Sequence, residues 1–186
     1  WLVNPIAPDA RFLMRGALHS QVVRGQFDFV FIDCPPRLTA ACLSALTASD
    51  FVIIPVQAEQ VAIRSVNHLL RRLKELQDGG VLTHLQVLGV VANMMSPTAT
   101  TAAAQEKLLG TLASATKEKN VWGQKVRVFR TKLTRDDRYF KASGELSNTK
   151  KLKLAVGFPV IHDQFEALTQ DIEEAIHENV RVAEVS

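Results

Sequence analysis

Cysteine is scarce in this chain of 186 residues. The two present, Cys34 and Cys42, make no disulfide framework, and a reduced, cytoplasmic compartment fits them best. No apolar run approaches the ~18 residues of a membrane span. The first residues show no basic segment followed by an apolar block, so no signal peptide is read. The five histidines, His19, His68, His84, His162 and His177, lack metal-ligand spacing. No G-x-S-x-G element marks a serine nucleophile. Low-complexity segments and internal repeats are missing too. What remains is ordinary for a globular chain, with 47% hydrophobic and 22% charged residues. The length is enough for a sizeable core and suits a single domain over residues 1–186.

The net charge of +3 conceals an asymmetry. From Lys117 to Lys153 there are 12 basic and 4 acidic residues, and the remainder of the chain is acidic by 5 charges. A concentrated basic stretch suits an anionic partner such as nucleic acid or phosphate, and equally suits a solvated lysine-rich surface.

Apolar runs alternate with helical periods. Residues 27–33 (FDFVFID), 51–56 (FVIIPV), 86–93 (QVLGVVAN) and 126–130 (VRVFR) read as strands. Residues 11–24, 39–48, 60–77, 98–118 and 163–178 read as helices. In the 60–77 helix, Ile63, Val66, Leu70, Leu73 and Leu76 recur at helical spacing, and Asp78-Gly79-Gly80 ends it. Gly110 weakens the middle of the fourth helix. In the last, Phe165, Leu168, Ile172 and Ile176 are expected to face inward, and Asp163 with Glu166 resembles a capping box. Alternation of this kind predicts an α/β fold, a mostly parallel sheet flanked by helices on both faces.

Asp33 ends an apolar strand, where the carboxyl edge of an open sheet receives ligands. A carboxylate there can hold Mg²⁺ directly or through water, and can equally cap the following turn. Asn93 ends another strand; its amide both donates and accepts, and it is also an ordinary turn residue.

The run FDFVFIDCPPRLTAACLSALTASDFVIIPVQAE resembles the Walker B strand and following segment of the ParA/MinD family of deviant-Walker ATPases. The likeness continues through LGVVANMM (88–95) and VFRTKLTRDDRYFKA (128–142), over about residues 25–176. The resemblance implies a P-loop NTPase-like fold with ATP and Mg²⁺ as cofactors. Asp33 would then coordinate Mg²⁺, through a bound water. Pro35, Pro36 and Arg37 would lie in the switch that senses the γ-phosphate, and Asn93 would meet the adenine base. In ParA-type relatives, C-terminal arginines bind DNA without sequence preference. Arg135 and Arg138 match that basic loop, and Arg130 and Lys132 stand beside it. Leu133-Thr134-Arg135 departs from the Ile-Pro-Arg frequent in relatives.

No Gly-Lys dipeptide occurs, so neither the ordinary nor the deviant P-loop is present in these residues. Only 32 residues precede Asp33, and the first is Trp1 rather than Met. The expectation is the C-terminal two-thirds of such an ATPase, lacking the N-terminal P-loop strand and unable to hydrolyse ATP alone. Without that strand, residues 27–33 should expose an apolar edge that invites self-association. The implied function is plasmid or chromosome partitioning: ATP-dependent homodimerisation, non-specific DNA binding and release by a ParB-like activator. One alternative is a non-catalytic binding module that has lost the P-loop. A MinD-like membrane cycle ranks lower, because residues 163–186 carry seven acidic residues and one basic residue, Arg181, and would be repelled by anionic lipid.

Overall fold

The computed structural model describes residues 9–35, 37–137 and 159–185. In chain order the helices are a 3₁₀ turn (Ala10–Phe12), α1 (Leu13–Leu18), α2 (Gln21–Arg24), α3 (Ala40–Ala48), α4 (Gln60–Asp78), α5 (Ala99–Ala115) and α6 (Pro159–Val185). The strands are β1 (Phe51–Gln57) and β2 (Gln86–Asn93). β1, α4 and β2 form a β-α-β unit whose strands are neighbours in a parallel sheet, so the α/β expectation holds. The chain divides into two compact units, Trp1–Val52 with Leu73–Val87, and Ile53–Arg72 with Leu88–Ser186.

In the first unit, α1 packs on α3. Thr39 caps α3, its hydroxyl accepting from the Cys42 N–H at 3.3 Å. The other end of α3 leaves carbonyls that need donors. Arg15 and His84 both reach the Thr47 carbonyl at 3.0 Å, and His19 reaches that of Ala48 at 3.0 Å. Cationic and imidazole groups also suit the negative end of a helix dipole.

Residues 27–33 do not form the expected strand. Among the described residues nothing hydrogen-bonds to them as a ladder, and Phe27, Phe29, Val30 and Phe31 are exposed, Phe31 to 80%. Apolar, β-branched composition makes a strand only where a partner supplies the second half of each hydrogen bond.

The α4 helix follows its pattern for four of the five expected positions, with Ile63, Val66, Leu70 and Leu73 buried and Leu76, in its last turn, half-buried. It closes in a Schellman motif. Val81 N–H donates to the Leu76 carbonyl and Gly80 N–H to that of Gln77, both at 2.9 Å, with Gly80 at φ 75°. Pro55 lies within β1, which runs on to Gln57. β1 has only β2 beside it among the described residues, so the missing proline N–H leaves no ladder bond unmade.

In the second unit, β2 is buried from Leu88 to Ala92, as a strand covered on both faces should be. The expected 126–130 strand is reduced to a short parallel pairing. Val90 N–H donates to the Arg127 carbonyl at 2.8 Å, and Phe129 N–H returns to Val90 at 3.0 Å. Gly89 lies against this pairing. A Cβ there would stand 2.8 Å from the Phe129 ring.

Helix α6 begins at Pro159, four residues before the expected start, so Asp163 is inside it and caps nothing. Its buried residues are Ile161, Leu168, Asp171 and Ala175, while Phe165 is 44% exposed. Of the expected stripe Leu168 is buried and Ile172 and Ile176 are half-buried, so the helix is turned part-way from it and brings Asp171 inside.

Candidate functional site

Beyond Phe129 the parallel pairing is interrupted. Ala92 accepts from Leu133 N–H at 2.9 Å, where an unbroken ladder would have used Thr131. Residues 130–132 thus make a two-residue excursion. The displaced Thr131 N–H does not go unsatisfied: it donates to the Asp171 carboxylate at 2.7 Å. Arg130 Nε donates to the same carboxylate at 2.9 Å. Burial pushes the Asp171 carboxyl up, but the hydrogen bonds from Thr131 and Arg130 outweigh it and hold the group below the usual carboxylate range. This explains how a charged residue occupies the buried face of α6.

The ladder resumes at the far end of β2. Met95 N–H donates to Leu133 at 3.0 Å and Arg135 N–H to Met95 at 2.9 Å. Met94 is the extra residue on the β2 side, a bulge with φ 53°. A left-handed methionine is strained and marks a site that its surroundings hold in place. Asn93 Oδ1 accepts from Met94 N–H at 2.8 Å, and Gln57 Nε2, at the end of β1, meets the Met94 sulfur at 2.8 Å. Gln164 of α6 donates to the Thr134 hydroxyl at 2.8 Å. The carboxyl ends of β1 and β2 and the strand-like segment 133–135 therefore meet at one edge, the edge where open α/β sheets bind ligands. Asn93 is half-buried there, and its Nδ2 donates to nothing among the described residues.

Of the residues singled out in the sequence, Asp33, Pro35 and Arg37 lie in the first unit, all exposed. Asp33 makes no ion pair with a described residue. Cys34 is exposed and in contact with the buried Cys42, whose thiol is pushed up by burial and by the Cys34 sulfur. Asn93, Arg130, Lys132 and Arg135 lie in the second unit. Pro36 and Arg138 fall outside the described residues. Arg130 pairs with Asp171 and with Glu174, the latter at 2.6 Å. Lys132 pairs with Glu106 of α5, and Arg127 with Glu178 of α6. Arg135 is exposed and carries no ion pair among the described residues.

Sequence reasoning missed Asp171, Gln57 and Gln164. An aspartate one position from an apolar stripe reads as a flanking surface residue, and only the ladder offset shows what it satisfies. The available signal was Asp171 beside Ile172 on an otherwise apolar face.

Residues 8–87 match a family model described as an AAA domain. This stretch contains the Asp33–Arg37 segment and ends before Asn93. The sporulation initiation inhibitor protein Soj of Bacillus subtilis is 39% identical over 94 residues, which are 50% of this chain and 35% of that protein. The chromosome partitioning protein ParA of Caulobacter vibrioides is 34% identical over 83 residues, 45% of this chain and 31% of that protein. Over about half its length the chain is similar to partitioning proteins of the ParA type. Its relatives are of the partitioning type, and the matched stretch covers about a third of their length. Apo McdA of Cyanothece superposes with a TM-score of 0.67 at 20% identity, covering 90% of this chain and 59% of that one. A variant of that McdA solved as an ATP complex matches equally well. At that identity the likeness speaks to the fold alone.

Proposed function

We propose that these residues are part of a partitioning ATPase that takes ATP and Mg²⁺, pairs with a second copy and holds DNA without regard to sequence. The observation that carries this reading is the 39% identity to Soj over half the chain. ATP would supply the energy and the closing ligand of the dimer, and Mg²⁺ the positive charge at its phosphates. The residues fit those groups. Asp33 offers an exposed carboxylate of the hard-oxygen kind that Mg²⁺ prefers. Asn93 offers a half-buried amide whose Nδ2 meets no acceptor among the described residues, beside a strained turn, suited to a base edge. In this reading Pro35, Pro36 and Arg37 sense the terminal phosphate. Arg135 and Arg138 make the first contacts with DNA, a ParB-like protein is the activator, and Arg130 and Lys132 add charge.

The 186 residues contain no Gly-Lys for a phosphate cradle, so we expect weak nucleotide binding and no turnover from this chain. Weak binding is best read by saturation-transfer NMR with Mg-ATP. Transfer to the adenine ring protons is expected, with Asn93→Ala reducing it several-fold. Absence of transfer to the intact chain, or an Asn93→Ala spectrum identical to it, would overturn the base contact.

No helix among the described residues is long and apolar enough to cross a membrane.

A further inference from the structure

The basic stretch does not stand free. Arg127, Arg130 and Lys132 are each met by carboxylates from within the chain. Three of these come from α6. Asp171, Glu174 and Glu178 are spaced three and four residues apart, which places them on one face of the helix. The fourth, Glu106, comes from α5.

The four carboxylates are of two kinds. Asp171 has a side chain 7% exposed and holds the Thr131 N–H as well as Arg130, so it belongs to the framework of the excursion. Glu106, Glu174 and Glu178 are 48–62% exposed and hold only a cation. Exposed ion pairs are worth little, because each charge is nearly as well solvated apart as together. They are therefore exchangeable, and a phosphate oxygen is an equivalent acceptor for a guanidinium or ammonium group.

We propose that Glu106, Glu174 and Glu178 form a built-in competitor for polyanions, occupying Arg127, Arg130 and Lys132 until a phosphate backbone displaces them. This deepens the DNA reading above and rests on it. On this account Arg135, which no described carboxylate meets, makes the first contact. The three paired cations join as their carboxylates are released. Binding is then weaker, and less steeply salt-dependent, than the number of basic residues implies. Each freed glutamate takes up cations from solution and offsets part of the counterion release from the nucleic acid.

The test is fluorescence anisotropy of the full chain with a short labelled duplex of arbitrary sequence. The variant is the triple Glu106→Gln, Glu174→Gln, Glu178→Gln, which keeps side-chain size and leaves Asp171 in place. Removing negative charge anywhere raises affinity for DNA, so the control removes three charges elsewhere, by Asp28→Asn, Glu59→Gln and Asp78→Asn. None of these three meets the basic stretch among the described residues. Matched thermal melts establish that both variants fold. The triple variant should bind roughly tenfold tighter than the control at about 50 mM salt, with the advantage fading towards about 0.5 M and the salt slope steeper. Equal gains in the two variants, or binding by the wild type with no gain, overturn the competitor and leave the DNA reading standing. No binding by any of the three overturns both.

Discussion

At the scale of single residues, Asp171 does the most. It converts a break in a parallel ladder into a satisfied network, so its loss exposes a fault the sequence hides. Asp171→Ala should destabilise by about 1–3 kcal/mol in a denaturant titration, since Thr131 N–H loses its acceptor. Asp171→Asn keeps one acceptor oxygen and should cost less. The depressed carboxyl has a defined pH consequence. Its contribution is fully present above the unfolded value near 3.9 and is lost as pH falls through the lower folded value. Acid unfolding followed by circular dichroism should therefore begin later in the wild type than in Asp171→Asn. Coincident acid midpoints would contradict the network. Thr116 is a second such residue, fully buried, accepting from Val126 N–H at 2.9 Å and donating to Ala113 at 2.9 Å.

At the scale of elements, two glycines make opposite predictions. Gly89→Ala places a methyl against the buried Phe129 ring at 2.8 Å and should destabilise by about 1–3 kcal/mol. Gly110 lies in α5, exposed, with nothing within 4 Å of an added Cβ. Gly110→Ala should therefore stabilise by about 0.5–1 kcal/mol, and a paired thermal melt of the two variants reads both signs. These elements also show what was legible in the sequence. α4 and β2 were, because periodicity and a run of buried apolar residues are properties of a segment alone. The 27–33 strand was read and does not form, because pairing is a property of two segments. The α6 face was misread for a related reason: Asp171 is stabilised by residues forty positions away, which no local window contains. At the candidate site, Asn93 was legible from its place at a strand end. Gln57 and the left-handed Met94 were not, since nothing in their types announces a bulge. Arg130 and Lys132 were read as charge available to DNA, and pairing with α5 and α6 is invisible to a count of basic residues.

At the scale of the whole molecule, Phe27, Phe29, Val30 and Phe31 leave an extended apolar segment facing solvent. Such segments pair with whatever strand or apolar surface is offered. Sedimentation velocity should show concentration-dependent association, and Phe31→Lys should reduce it by charging the most exposed position. A concentration-independent monomer would contradict this reading. The central proposal is that the basic stretch holds DNA through its phosphates. The most direct measurement is a salt titration of duplex binding, comparing the intact chain with Arg135→Ala, Arg138→Ala. The account predicts affinity that falls steeply with salt, is indifferent to sequence, and has a slope shallower by about two phosphate contacts in the variant. Binding that survives high salt, or a variant indistinguishable from the intact chain, would contradict it.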